Sequence, residues 1–97
     1  MKGRGKSIRT GNFAPTRTRH LDVPEVDLHG LRQHIGEARV ESFMREQIAN
    51  GARTVKIIHG QGQGVMREVA YDWIKKHVHR VADYQDVGPA VIIYLKR

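Results

Sequence analysis

Two short apolar segments of this chain each end in a His-Gly pair, and a helical pattern follows each pair at once. The first segment reads VPEVDLHG and the second reads VKIIHG. A strand–helix–strand order favours parallel pairing of the two strands with a right-handed crossover. Because functional sites collect beyond the carboxyl ends of parallel strands, we expect both His-Gly corners at one edge of a sheet.

The hydrophobic periodicity predicts the element order β-α-β-α-β-β. The predicted strands are 24–29, 53–59, 80–85 and 90–95, and the predicted helices run from about 33 to 49 and from about 64 to 77. A four-residue turn joins the last two strands, which predicts an antiparallel hairpin. We therefore expect an α/β fold, a two-layer sandwich with a mixed four-stranded sheet, helices on one face and the other face open. Trp73 falls on the apolar stripe of the second helix and is predicted to lie in the core.

The composition limits the class of protein. A length of 97 residues allows one domain, and the absence of cysteine excludes disulfides and thiolate metal sites. No apolar run approaches the roughly 20 residues needed to span a bilayer. We expect a cytoplasmic protein without membrane contact.

The formal net charge of +7 lies almost entirely near the N-terminus. Residues 1–20 contain six basic residues and no acidic residue, whereas the rest of the chain is nearly balanced. We therefore separate residues 1–22, predicted to be a disordered basic tail or linker, from a domain over residues 23–97. Such a tail can contact phosphates without sequence preference, or it can be a solubilising arm or the end of a linker, which would make this domain the C-terminal part of a larger protein.

The first corner carries groups suited to proton transfer. Asp27 lies two residues before His29, so both side chains share one face of the strand. A neighbouring carboxylate fixes the tautomer of a histidine or stabilises its protonated form. Together with His59 at the second corner, these residues can supply general acid and general base. The alternative is that each histidine simply packs or caps at a strand end.

The second corner continues into a glycine-rich loop, Gly60–Gly64. Glycines let the backbone approach a ligand, and the following helix N-terminus favours an anion, so the loop and Arg67 are candidates for binding a phosphate. The alternative is a tight turn without a ligand. A P-loop is excluded because no Gly-Lys-Ser/Thr follows, and the dinucleotide fingerprint is excluded by its spacing.

The segments VDLHG at 26–30 and IIHGQGQGVMREVAYDWI at 57–74 together resemble the Smr (small MutS-related) domain family, and order and spacing agree over about residues 24–95. The resemblance implies a fold like the C-terminal domain of the third bacterial translation initiation factor. It also implies nucleic-acid binding, often with endonuclease activity that nicks DNA or cleaves RNA at stalled ribosomes.

The resemblance also implies which residues form the site. The family's Asp and His correspond to Asp27 and His29, and its arginine at the helix start corresponds to Arg67. Its HG-x-G loop corresponds to His59, Gly60, Gln61 and Gly62, and we add the neighbouring Gln63 and Gly64 as phosphate contacts. The chain has Gln61 where many members have lysine, and the segment before its last strand is shortened to DVGPA, residues 86–90.

The leading hypothesis is an endonuclease of DNA or RNA, with Asp27, His29 and His59 catalytic and the ribosome as one possible partner. No metal site is predicted, but a divalent cation at Asp27 is an alternative, since carboxylate and imidazole both ligate metals. Three other functions stay open. They are a non-catalytic nucleic-acid-binding module associated with the ribosome or with repair, a binder of small phosphorylated metabolites or nucleotides, and a structural domain.

Overall fold

The computed structural model describes residues 23–61 and 64–96 of the chain. The elements, in chain order, are β1 (Glu25–Asp27), α1 (Gln33–Ala49), β2 (Thr54–Ile58), α2 (Val65–Lys76), β3 (Val81–Asp86) and β4 (Ala90–Leu95). This order confirms the predicted β-α-β-α-β-β sequence. The basic tail and the loop residues Gly62 and Gln63 lie outside the described residues. In the described ranges, neither helix is long and apolar enough to cross a membrane.

The four strands form one mixed sheet in the order β1-β2-β4-β3. β1 and β2 are parallel, with Asp27 opposite Ile58. β4 runs antiparallel to both β2 and β3. The parallel pair joined through α1 and the terminal hairpin are both as predicted, so the expected α/β sandwich is confirmed. Because β4 inserts beside β2, the turn between β3 and β4 comes to lie at the edge where β1 and β2 end.

The core lies between the sheet and the two helices. Val55 and Ile57 are completely buried on the helix side of β2, whereas Lys56 and Ile58 alternate with them and are half-buried on the open side. Each such aliphatic side chain contributes about 1.5–3 kcal/mol when it is fully buried. Trp73 is 5% exposed, which confirms its predicted place in the core.

The two helices pack closely where α1 carries Gly36. A Cβ at this position would collide with the side chain of Met66 on α2. Gly36 has no side chain, and this lets Met66 and the two helices approach closely at this point. At the other end, α1 finishes at Asn50 and Gly51, and Gly51 has the positive φ of 80° expected of a glycine cap.

Candidate active site

The two His-Gly corners lie at the same edge of the sheet, as predicted. Parallel pairing extends one residue beyond β1, because the Leu28 N–H donates to the Ile58 carbonyl at 2.7 Å. The next residues, His29 and Gly60, are then in direct contact. A Cβ at residue 60 would lie 3.0 Å from the His29 Cβ. Only glycine fits beside His29 in this conformation, since residue 60 also has a φ of +97°.

Asp27 holds His29 through two hydrogen bonds to one carboxylate oxygen. Its Oδ1 accepts the His29 backbone N–H at 3.0 Å and lies 2.6 Å from the His29 Nδ1. An ionised carboxylate only accepts, so the proton of this second bond lies on Nδ1 and the other ring nitrogen, Nε2, carries the lone pair. The hydrogen bond from the His29 side chain is the main cause of the lowered pKa of Asp27.

The Asp27–His29 pair is open to solvent. The His29 side chain is 69% exposed and that of Asp27 is 51% exposed. A long substrate can therefore reach the His29 ring without displacing any part of the core. This geometry is the one expected of an aspartate that fixes the orientation of a reactive imidazole.

His59 lies at the same edge of the sheet as His29 but on the opposite face. It continues the alternation of Val55 and Ile57 and is only 5% exposed, so its ring packs on the helix side of the sheet. Asp27 is opposite Ile58 and lies on the other, open face. The two imidazoles therefore do not lie side by side, whereas the sequence hypothesis gave both of them a part in the same proton transfer.

The tautomer of His59 follows from its neighbour. Its Nδ1 lies 3.1 Å from the carbonyl oxygen of Gly60, and a carbonyl only accepts, so Nδ1 carries the proton. The Nε2 atom is buried and has no hydrogen-bond partner among the described residues. In this conformation His59 contacts the backbone of its own corner rather than solvent, so its geometry suits support of Gly60.

The turn between β3 and β4 closes over the second corner. The Pro89 carbonyl accepts the backbone N–H groups of both His59 and Gly60, at 2.8 and 2.9 Å. The Gly60 N–H is thus occupied and is not available to a phosphate in this structure. The shortened DVGPA segment therefore serves as the clamp of the corner, a role that the sequence reasoning missed.

The remaining loop residues lead into α2. Gln61 is exposed, and Gly64 directly precedes the first helical residue. The N–H groups of the first turn of a helix have no intrahelical acceptor and attract anions. Gly62 and Gln63, both predicted phosphate contacts, lie outside the described residues.

Arg67 points its guanidinium to the β3–β4 turn. Its Nη2 donates to Asp86 Oδ2 at 2.7 Å, and the Tyr71 hydroxyl donates to the same oxygen at 2.9 Å. The backbone N–H of Gly88 donates to Asp86 Oδ1 at 3.0 Å. These donors, Arg67 first, lower the pKa of Asp86 to about 2. Asp86 and Tyr71 were not predicted as site residues. Tyr71 lies one turn after Arg67 on α2, and this i, i+4 spacing was a local signal, whereas Asp86 meets Arg67 only in the folded chain.

The carboxylate of Asp27 and the imidazole of His29 are possible ligands of a metal ion. Within residues 23–61 and 64–96, no group of three His, Cys, Asp or Glu side chains is placed to hold a metal ion. Asp27 and His29 alone cannot complete the coordination shell of a divalent cation, so any such cation would also bind water or substrate oxygens.

Comparison with known protein families gives a match over most of the domain. The family model described as the Smr domain matches residues 26–92. Endonuclease MutS2 of Symbiobacterium thermophilum is 33% identical over 85 residues, covering 88% of this chain and 10% of that protein. Endonuclease MutS2 of Halalkalibacterium halodurans is 37% identical over 60 residues, covering 62% of this chain and 8% of that protein. The chain thus spans about a tenth of the length of these curated relatives.

Two solved structures have the same fold. The Smr domain of Thermus thermophilus MutS2 superposes with a TM-score of 0.68 at 26% identity, covering 77% of this chain and all of the other. YdaL, a stand-alone small MutS-related protein from Escherichia coli, has a TM-score of 0.55 at 21% identity. That comparison covers 75% of this chain and 64% of YdaL, and it supports the fold alone.

Proposed function

Because the chain belongs to the Smr domain family, we propose that it binds nucleic acid and cleaves phosphodiester bonds in DNA or RNA. The relatives that are named endonucleases are about ten times longer than the part they share with this chain. Endonuclease activity of this domain is therefore a proposal, and the geometry of the first corner supports it.

The observation that carries the proposal is the Asp27–His29 pair. Asp27 keeps the proton on Nδ1, so the exposed Nε2 of His29 can remove a proton from an attacking hydroxyl. The oxygen of that hydroxyl, from water or from the ribose of RNA, bonds to phosphorus as the bond to the leaving oxygen breaks. The Asp27 carboxylate stabilises the imidazolium that forms, and the imidazolium can return its proton to the leaving oxygen.

The second corner is proposed to bind the phosphate and to position the first corner. We propose that the loop from Gly60 to Gly64, with Gln61, Gly62 and Gln63, and the side chain of Arg67 contact the phosphate. His59 was predicted to share acid–base duty, and its burial supports a positioning role through the Gly60 carbonyl. A neutral Gln61 can donate a hydrogen bond to phosphate but supplies no charge.

The test is cleavage by the full chain. Labelled single-stranded RNA, folded ribosomal RNA, supercoiled DNA and linear duplex are incubated with the protein, with and without chelator. His29→Ala is expected to lower the cleavage rate constant by about 10²–10⁴-fold, with Asp27→Ala close to it. Glu25→Gln is the matched control, because Glu25 lies on the same face of β1, is exposed and does not contact His29.

Cleavage that survives His29→Ala unchanged would remove the acid–base assignment. Loss of cleavage in the chelator samples would add a divalent cation to the site. The second candidate function is a binding module without chemistry, which the burial of His59 favours because it leaves one exposed imidazole, His29, at these corners. Retained binding without cleavage of any substrate would establish that candidate instead.

A further inference from the structure

We propose that Arg67, Tyr71 and the backbone N–H of Gly88 form a site for one phosphate of the nucleic acid, and that the Asp86 carboxylate occupies this site until nucleic acid binds. The inference rests on the proposed function for the identity of the anion. It adds a resident competitor for that anion, within the protein itself.

The cluster has the composition of an anion site. Three donors converge on one carboxylate: a guanidinium at 2.7 Å, a phenol hydroxyl at 2.9 Å and a backbone N–H at 3.0 Å. A phosphodiester presents the same features as the carboxylate, namely one negative charge on two oxygens. Arginine with a hydroxyl and a main-chain N–H is a common set of phosphate contacts.

Two of the donors are held in place without help from the carboxylate. The Arg67 guanidinium carbon lies 4.6 Å from the centre of the Tyr71 ring, in cation–π geometry. The Tyr71 ring in turn meets the Tyr84 ring edge-on, with centroids 5.6 Å apart. If Asp86 leaves, Arg67 and Tyr71 keep their positions, so an incoming phosphate finds a prepared site.

A phosphate can replace the Asp86 carboxylate because the ion pair is open to solvent. The side chains of Arg67 and Asp86 are 46% and 42% exposed, and exposed ion pairs are weak and screened by salt. A buried pair would lock the arginine, whereas this pair can open. Nucleic acid also gains from each phosphate contact by releasing condensed counterions, which a side-chain carboxylate does not.

The location connects the cluster to the catalytic corner. Asp86 begins the turn whose Pro89 carbonyl holds the N–H groups of His59 and Gly60. A phosphate at Arg67 would therefore lie beside the clamp of the second corner, which itself contacts His29 through Gly60. Both places therefore lie at the same edge of the sheet.

The experiment is a double-mutant cycle on binding. Fluorescence anisotropy of short labelled single-stranded RNA and DNA is measured in the His29→Ala background, in which the proposed cleavage cannot consume the probe. Asp86→Asn is expected to tighten binding about three- to tenfold at low salt and to steepen the salt dependence by about one phosphate contact. Arg67→Gln is expected to weaken binding, and Asp86→Asn in that background is expected to have no further effect.

Asp83→Asn is the matched control. It removes the same charge from the same strand, but Asp83 is opposite Tyr94 and faces the open side of the sheet. Among the described residues its carboxylate accepts the N–H of Tyr84 and does not contact Arg67. Equal increases in affinity for Asp86→Asn and Asp83→Asn would show that the effect comes from net charge alone, and would overturn the proposal. Weaker binding after Asp86→Asn, in a variant with an unchanged circular dichroism spectrum, would also overturn it.

A measurement on the His29→Ala variant with Asp86 in place covers the case in which Asp86→Asn fails to fold. The side-chain N–H resonance of Arg67 is followed by NMR while the oligonucleotide is added, with Arg53 as the reference at the opposite end of β2. A shift of Arg67 that saturates with binding supports the site, and an unmoved Arg67 overturns it. If no substrate is ever cleaved but the cycle behaves as expected, the endonuclease proposal fails and the phosphate site stands.

Discussion

Gly60 is in direct contact with His29 across the parallel strand pair. A Cβ at residue 60 would lie 3.0 Å from the His29 Cβ, tighter than most real contacts of this kind. The two His-Gly corners are therefore one unit, in which the first supplies the exposed imidazole and the second supplies the surface against which it rests.

Gly60→Ala is predicted to destabilise the fold and to displace His29. The positive φ alone costs an alanine about 1–3 kcal/mol, and the new methyl group must also push against the His29 Cβ. Urea unfolding measures the stability, and the ring resonances of His29 measure the displacement. Gly51→Ala is the matched control, because residue 51 has a φ of +80° and nothing within 4 Å of a built Cβ. Equal shifts of His29 in both variants would contradict the contact.

His59→Asn is predicted to keep most of the cleavage activity, whereas His59→Ala is predicted to lose about a hundredfold through misplacement of the corner. The asparagine amide can still donate to the Gly60 carbonyl, as the His59 Nδ1 does at 3.1 Å. Steady-state rates across a pH series distinguish the roles. If both variants lose activity equally and the pH profile flattens, His59 takes part in proton transfer, as the sequence first suggested.

Acid is predicted to remove the stability contributed by Asp86. The pKa of this carboxyl is lowered from 3.8 to about 2, first by Arg67 and then by Gly88 and Tyr71. A lowered pKa in the folded state stabilises the protein above the unfolded value, and this contribution is lost as the pH falls from about 4 through about 2. The midpoint temperature of thermal unfolding is measured at several pH values in this window. It should fall less steeply with decreasing pH in Asp86→Asn than in the unchanged chain. Some dependence of the midpoint temperature on pH should remain in that variant, because the pKa of Asp27 is also lowered in the folded state.

Alkaline titration is predicted to show that Tyr71 ionises near pH 12. The pKa of Tyr71 is raised from 10.0 to about 12, first by burial and then by its hydrogen bond to Asp86. The folded state therefore keeps this phenol protonated, and stability is lost as the pH rises from 10 to about 12. Phenolate absorbance should lose the step near pH 12 in Tyr71→Phe but keep it in Tyr94→Phe, because Tyr94 donates to Gln85 instead. A step that persists in Tyr71→Phe would contradict the assignment.

Most of the fold could be predicted because its signals are local. The bounds of α1 and β4 follow from periodicity and from the Asn-Gly and Gly-Pro punctuation, which need no knowledge of distant contacts. Trp73 is buried because it lies on the stripe that α2 presents to the sheet. The burial of His59 also had a local signal, since Val55, Ile57 and His59 alternate in phase. The sequence predicted the edge of the sheet at which His59 lies but not the face on which its ring packs.

The parts of the site that escaped prediction depend on distant pairs. Arg67 and Asp86 meet because β4 lies beside β2 and brings the β3–β4 turn to the edge of the sheet. Nothing in the composition of DVGPA indicates that its proline carbonyl accepts two N–H groups from another corner. Gly36 is a similar case, because the space that it leaves is filled by Met66, which lies on the other helix.

The Pro89 carbonyl has a consequence for how the domain is made. A chain emerging from the ribosome carries both His-Gly corners long before Pro89 is synthesised, and β4 must still enter the sheet beside β2 for that carbonyl to reach Gly60. A nascent chain that has not yet reached β4 therefore lacks the clamp that sets the corner. Assembly of the site waits for this strand, so the cleavage proposed for this domain requires that β4 has been made and has entered the sheet.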